Sequence, residues 1–386
     1  MTDWPVKTLG DLLEVSIGGI WGSEAGEDEV DVFVYRSTEL LKEGQLKEEL
    51  TVRRSITARQ LDSRKLEEGD LLLEKSGGGP KTPVGRVGLV KVLSGLSVCS
   101  NFMQLMRPRK KDVLPVYLHY FLNHFHVAGH TEDLQNNSTN IRNLKTTEYM
   151  EVEIPLPPME EQKRIVALLD AVTAHVTELT ACYEQARTHA NNLFTSASRE
   201  AFESNPDWPV KTIGDVCAVL DSLRKPITKR DRISGDYPYY GATGIVDYVG
   251  DYIFDERLVL VGEDGAKWDA GDRTAFIAEG KYWVNNHAHV LRCKPGVLVD
   301  SWLTHYLTMS DLNRYVSGLT VPKLNQGSLV SIAIPVPPLE EQERIVGHLD
   351  SMKAKTSEMV AAYDAKLTAA KNLRQSFLES AFEGKL

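Results

Sequence analysis

The chain repeats its own edges. Residues 3–12 return as residues 207–216 with identity at 8 of 10 positions, both opening on Asp-Trp-Pro-Val-Lys-Thr, at an offset of 204. Residues 154–170 return as residues 334–350 with identity at 12 of 17 positions, both opening on Ile-Pro-x-Pro-Pro-x-Glu-Glu-Gln, at an offset of 180. The offsets differ by 24, so the enclosed material is 24 residues longer in the first half. Matching edges around unmatched middles call for two globules of one topology with different surfaces. One core is excluded on size as well, since 386 residues exceed what a single hydrophobic core holds.

After each second edge the sequence turns helical. Pro158 and Pro338 stand at helix starts, and Glu160, Glu161, Glu340 and Glu341 complement the N-terminal dipole. No Gly or Pro interrupts residues 159–203, and only Gly347 interrupts 339–383. Each run predicts a helix of about 45 residues, roughly 68 Å long. Val172, Val176, Leu179, Tyr183, Ala186, Ala190, Leu193 and Ala197 alternate four and three apart, a heptad seam. Its counterpart carries Met352, Met359, Tyr363, Ala370, Leu373 and Phe377, with Thr356 and Lys366 as polar interruptions. One such helix cannot hide its stripe; two can hide each other's.

The expected fold class is therefore α+β. Two mixed α/β globules are joined by two long antiparallel helices, a coiled coil, under pseudo-two-fold symmetry. The boundaries read as 1–153, 154–206, 207–333 and 334–386. Such an object is a ruler with a globule at each end; the competing reading is a plain coiled-coil scaffold.

Several chemistries are weak in this sequence. Cys99, Cys182, Cys217 and Cys293 form no Cys-x-x-Cys pair, which supports neither a disulfide framework nor a cysteine zinc site. The N-terminus lacks a signal-peptide pattern and no run approaches 18 apolar residues, so the expected location is the cytoplasm without a membrane span. The turn around Gly77-Gly78-Gly79-Pro80-Lys81 departs from a P-loop, with Pro80 at the second Gly position and Lys75 at the first. His119, His124, His126 and His130 invite a metal reading, but they lack a zincin Glu and have no counterpart in the second half. No Asn- or Asp-Pro-Pro-aromatic loop for an adenine methyltransferase is present. A Mg²⁺ nuclease can be assembled from Asp264 or Asp272 with Glu279 and Lys281, again in one half alone.

What remains is polar recognition chemistry. Arg and Lys suit phosphates and guanine edges, and Asn suits adenine. In the first globule the candidates for DNA contact are Lys75, Ser76, Lys81, Thr82, Asn101, Arg142 and Asn143. In the second they are Arg224, Lys225, Lys229, Arg230, Tyr239, Tyr240, Thr243, Lys267, Asn286, His287, Lys323 and Asn325. A solvated surface explains any one of these runs as well as a DNA face does.

With these marks in place, the chain resembles the specificity subunits of type I restriction-modification systems. The resemblance lies in the doubled Trp-Pro-x-Lys-Thr-x-Gly-Asp and Ile-Pro-x-Pro-Pro-x-Glu-Glu-Gln-x-Arg-Ile-Val edges, and in residues 237–248, which look like a target-recognition-domain signature. It implies a non-catalytic DNA-binding subunit in which each globule reads one half of an asymmetric bipartite target while the helices set the unread spacer. The implied partners are double-stranded DNA, two modification (methyltransferase) subunits and restriction (translocase/endonuclease) subunits. S-adenosylmethionine, ATP and Mg²⁺ belong to those partners, and no cofactor or metal is expected in this chain. Glu161, Gln162, Arg164, Ile165, Glu341, Gln342, Arg344 and Ile345 are the expected partner-binding residues.

The net charge of −10 seems at first to exclude DNA. Divided at residues 150, 207 and 333 it is −2 for residues 1–150, −6 for 151–207, −1 for 208–333 and −1 for 334–386. Most of the surplus sits on residues 151–207, the first helical segment with its short flanks. The globules are near neutral with local basic clusters, which predicts weak DNA binding by the chain alone, with partners supplying much of the phosphate grip.

Overall fold

A computed structural model describes residues 4–41, 44–79, 82–93, 95–138, 141–318 and 320–386. The chain forms two compact units, one of residues 1–181 and 367–386, the other of residues 182–366. Each unit takes a globule, the first turns of one long helix and the end of the other. The helices span Met159–Glu203 and Leu339–Phe382, as the uninterrupted sequence predicts.

The repeated edges meet. Strand Val6–Thr8 pairs antiparallel with Glu153–Pro155, and strand Val210–Thr212 with Ala333–Pro335, with Lys7 opposite Ile154 and Lys211 opposite Ile334. The two repeats therefore close each globule as one ribbon, leaving the middle free to vary. The ribbon is tied to the globule's main helix in the same way twice. Tyr117 Oη of helix Pro115–Val127 donates to Pro155 O at 2.8 Å, and Trp302 Nε1 of helix Asp300–Met309 donates to Pro335 O at 2.9 Å.

Both middles share one topology. In the first unit a four-stranded sheet is centred on Leu71–Glu74 and Met103–Pro108; its counterpart is centred on Leu258–Gly262 and Ala288–Cys293. Leu71–Glu74 and Leu258–Gly262 are buried throughout, as continuous apolar runs should be in central strands. Beside each lies a smaller sheet holding one parallel pair, Val30–Tyr35 with Ser97–Cys99 and Tyr237–Gly241 with Lys281–Val284.

Helix ends complete each core. In the first unit Ile165, Leu169, Leu378 and Phe382 join Tyr117, Leu118 and Leu122; in the second Ile345, Leu349 and Phe202 join Trp302, Leu303 and Leu307. Phe382 meets Tyr117 and Phe121 edge-on, and Phe202 meets Trp302 and Tyr306 edge-on.

The heptad expectation needs correction at five positions, one of them Lys366, which is exposed where Leu367 is buried. Leu179, Leu193, Met359 and Leu373 are 42%, 51%, 42% and 48% exposed, while Thr180, Arg187, Phe194, Val360, Leu367 and Arg374 turn inward. The seam keeps a four-three spacing, but its second position falls one residue later than apolarity indicates. In the second unit Tyr183 packs on Tyr363, as the seam expects, while Arg187 pairs with Asp364 at 3.0 Å and its long amphipathic stem turns inward beside Ala186.

One helix among the described residues bears on the expected lack of a membrane span. The Met159–Glu203 helix is, by length and composition, apolar enough to cross a membrane. Both its ends are packed into globule cores, Ile165 and Leu169 in one unit and Phe202 in the other.

Candidate nucleic-acid interface

Each unit carries a platform made by the C-terminal ends of three strands. In the first unit, strands Val30–Tyr35, Ser97–Cys99 and Leu71–Glu74 release residues 36–38, 100–102 and 75–79. In the second, strands Tyr237–Gly241, Lys281–Val284 and Leu258–Gly262 release residues 242–243, 285–287 and 263–267.

The same backbone bonds lock both platforms. Ser100 N donates to Tyr35 O at 2.8 Å and Asn285 N to Tyr240 O at 3.0 Å. Lys75 N donates to Phe102 O at 3.0 Å and Glu263 N to His287 O at 2.9 Å. Leu144 N donates to Lys75 O at 2.8 Å and Leu324 N to Glu263 O at 2.8 Å. These bonds make Asn101 equivalent to Asn286, Phe102 to His287, Ser76 to Asp264, and Asn143 to Lys323. Backbone pairing of Ser76 with Asn143 and of Asp264 with Lys323 agrees.

In the first platform, Ser76 Oγ donates to Asn143 Oδ1 at 2.5 Å. Arg142 and Asn143 lie on strand Ile141–Leu144, paired to Ser76–Gly78. Lys75 is half-buried, Thr82 is exposed and accepts from Gly79 N at 2.6 Å, and Asn101 is exposed. Pro80 and Lys81 lie outside the described residues. A cleft of about 340 Å³ opens beside Asn101, lined by Trp21, Arg36, Thr38, Ser100 and Phe102. The sequence reading missed Trp21 and Phe102 as lining residues, because no periodicity marks an aromatic at a loop tip. Trp21 carries the Arg54 guanidinium 4.5 Å above its ring, and Arg54 also pairs with Glu24.

In the second platform, Thr243 sits in the turn of the hairpin that pairs Gly241 with Gly244, and Thr243, Lys267 and Asn286 are exposed. His287 Nδ1 meets Asp264, and Lys323 Nζ lies 2.8 Å from Glu263 Oε1 and 3.9 Å from Asp264 Oδ2. Hydrogen bonding to Glu263 raises the Lys323 pKa, so the amine stays charged. Arg273, also missed, reaches across Gly244: a Cβ there would lie 3.8 Å from its guanidinium.

Beneath this platform lies an ion network. Asp221, Glu263 and His289 place ligand-type atoms within 4.8 Å of one another. Arg224 lies 2.5 Å from Glu263 and 3.3 Å from Asp221, and donates to Ala288 O at 2.8 Å. Burial would raise the Glu263 carboxyl, but hydrogen bonds from Lys323 and Arg224 outweigh it and hold the group below its usual range. For Asp221 too, burial opposes and His289, Val290 N and Arg224 prevail. The chain's own cations compensate this cluster, which leaves a divalent ion no electrostatic vacancy.

Several sequence-predicted contacts are corrected here. Arg224 is committed to the ion network. Tyr239 is 1% exposed, with its hydroxyl accepting from Ile227 N at 2.9 Å, so it is core. Tyr240 packs beside Phe276 and Tyr282 but stays half-exposed, so its expected contact is not among those corrected. Asn325 caps helix Gln326–Val330 through its amide oxygen, accepting from Ser328 N at 3.0 Å, but it is exposed and its expected contact is likewise not among those corrected. Lys225, Lys229 and Arg230 are exposed on the preceding segment, and Arg230 pairs with Asp231.

The nuclease residues do not converge. Glu279 pairs with Arg257 at the start of strand Leu258–Gly262, whereas Asp264 lies beyond its far end. The histidines diverge as well: His119 lies against Gly44 O and Asn123, His126 against Thr131, and His124 against Gln375.

On the helices, the partner-surface expectation is corrected at Gln162, Ile165, Gln342 and Ile345, which are 1%, 1%, 0% and 4% exposed. The isoleucines are core, and the glutamines bind backbone. Glu161 pairs with Arg164 and Glu341 with Arg344, both at 2.7 Å on exposed first turns.

One loop platform built twice on a repeated topology defines a doubled recognition module. The model of the type I restriction modification DNA specificity domain matches residues 1–186 and 205–369, and the chain belongs to that family. It is 39% identical over 155 residues to a putative type I restriction enzyme specificity subunit, S.HindORF215P of Haemophilus influenzae, covering 40% of this chain and 39% of that protein. It is 29% identical over 217 residues to the type I restriction enzyme EcoprrI specificity subunit of Escherichia coli, covering 55% and 53%. These matches span well under two thirds of the relatives' lengths. A chain solved in work on complex assembly and conformational transition of the type I R-M system superposes with a TM-score of 0.80 at 21% identity, over 99% of this chain and 98% of that one.

Proposed function

We propose that this chain is the non-catalytic DNA-specificity subunit of a type I restriction-modification complex, each platform reading one half of an asymmetric bipartite target. The observation that carries the reading is the doubled frame with unlike side chains. Identical backbone bonds present Lys75, Ser76, Phe102 and Asn143 in one unit and Glu263, Asp264, His287 and Lys323 in the other. Two such surfaces select two different half-sites. The continuous helices set the unread spacer and dock two methyltransferase subunits. Exposed Leu179, Leu193, Met359 and Leu373, together with Glu161, Arg164, Glu341 and Arg344, support that docking role. S-adenosylmethionine, ATP and Mg²⁺ act on the partners, restriction subunits complete the complex, and it works in the cytoplasm. DNA-contact roles for Lys75, Ser76, Lys81, Thr82, Asn101, Arg142, Asn143, Lys225, Lys229, Arg230, Tyr240, Thr243, Lys267, Asn286, His287, Lys323 and Asn325 belong to this proposal.

The test is selection from a randomised duplex library by the chain co-purified with its methyltransferase. Enrichment of one split sequence with unlike halves is expected. Failure to form the complex, or enrichment of one contiguous sequence, contradicts the reading.

A further inference from the structure

We propose that Asn143 and Lys323, which occupy one equivalent position, discriminate bases in their respective half-sites, Asn143 selecting adenine and Lys323 selecting guanine. The inference rests on the readout function proposed above and assigns chemistry to one position of it.

Three observations lead there. First, the position is fixed by backbone. Asn143 and Lys323 each precede a buried leucine whose N–H holds the matching strand end, Leu144 on Lys75 O and Leu324 on Glu263 O, both at 2.8 Å. Second, each side chain is held by the segment it pairs with: Ser76 Oγ donates to Asn143 Oδ1 at 2.5 Å, and Glu263 receives Lys323 Nζ at 2.8 Å. Such support removes rotamer freedom before any base arrives. Third, the bonding capacity beyond that support differs in kind. An amide oxygen accepts two hydrogen bonds, so Asn143 retains an acceptor beside its amide donors, the pattern complementary to adenine N6 and N7. An ammonium has three donors, so Lys323 retains two beyond Glu263, complementary to guanine O6 and N7. On the same frame the backbone of the matching strand end also binds a loop-tip residue, Lys75 N donating to Phe102 O and Glu263 N to His287 O.

Methylation mapping in cells that express the chain with its methyltransferase tests this with Asn143→Lys, Lys323→Asn, Asn143→Ala and Lys323→Ala. Asn143→Lys should convert one base of one half-site from adenine to guanine, leaving the other half-site untouched. Lys323→Asn should make the converse change in the other half-site. The alanine variants keep the strand pairing, which uses backbone alone, and should relax discrimination at the same single positions by about tenfold or more. Unaltered motifs in both alanine variants, or uniform weakening at every motif position, would overturn the inference. If the wild-type complex itself modifies no split motif, the readout function fails first, and that result is distinct from unaltered variants of a split-motif enzyme.

Discussion

Gln342 Oε1 accepts the Val299 N–H at 2.9 Å, while its amide nitrogen donates to Val297 O at 3.0 Å and Pro337 O at 2.8 Å. Gln162 does the same in the other unit, with Leu114 N at 2.8 Å, Asp112 O at 3.2 Å and Pro157 O at 2.9 Å. One buried amide thus joins the first turn of each long helix to its globule. Gln342→Leu leaves an N–H and two carbonyls without this partner and should cost about 2–4 kcal/mol. Urea denaturation measures it; a change within about 0.5 kcal/mol would contradict the clamp.

Phe382 plugs the first unit, with ring centroids 5.5 Å from Tyr117 and 5.1 Å from Phe121. Phe382→Ala should destabilise by about 3–4 kcal/mol, and Phe382→Leu by less. Equal unfolding midpoints for the wild type and the alanine variant would show that the helix end is not part of the core.

Burial lowers the His119 pKa to about 4. The folded group stays neutral while an unfolded chain binds a proton below about 6.5. Stability from this site is therefore complete above pH 6.5 and is lost as pH falls toward 4, to a limit of about 3 kcal/mol. Urea midpoints at pH 7 and pH 4.5 should separate more for wild type than for His119→Gln. Equal separations would remove His119 from the acid response.

Deleting residues 184–187 together with 364–367 removes Arg187 and Asp364 as a pair and shortens each helix by about 6 Å. The selected spacer should change by about one or two base pairs, at roughly 3.4 Å each, with both half-sites retained. Changed half-sites with the spacer unchanged would refute a length-setting role.

The long helices were legible because proline marks their starts and almost nothing breaks them, and the doubled edges announced two globules. Which leucines face inward was not legible. Leu179 and Leu193 look like seam residues, but Thr180 and Phe194 take the inward places beside them, since packing depends on angular position along the helix and not on apolarity alone. Among candidate contacts, composition could not separate Arg224, held by Asp221 and Glu263, from Lys267, which is exposed. Nor could it join Ser76 to Asn143, which are 67 residues apart and meet only through strand pairing.

Two unlike platforms in one chain should read two unlike half-sites. Genome-wide mapping of methylated bases, with and without this chain beside its methyltransferase, tests it most directly. Chain-dependent adenine methylation is expected at one asymmetric motif, two different half-sites around an unread spacer. Methylated positions unrelated to any split motif, or a pattern indifferent to the chain, would contradict it.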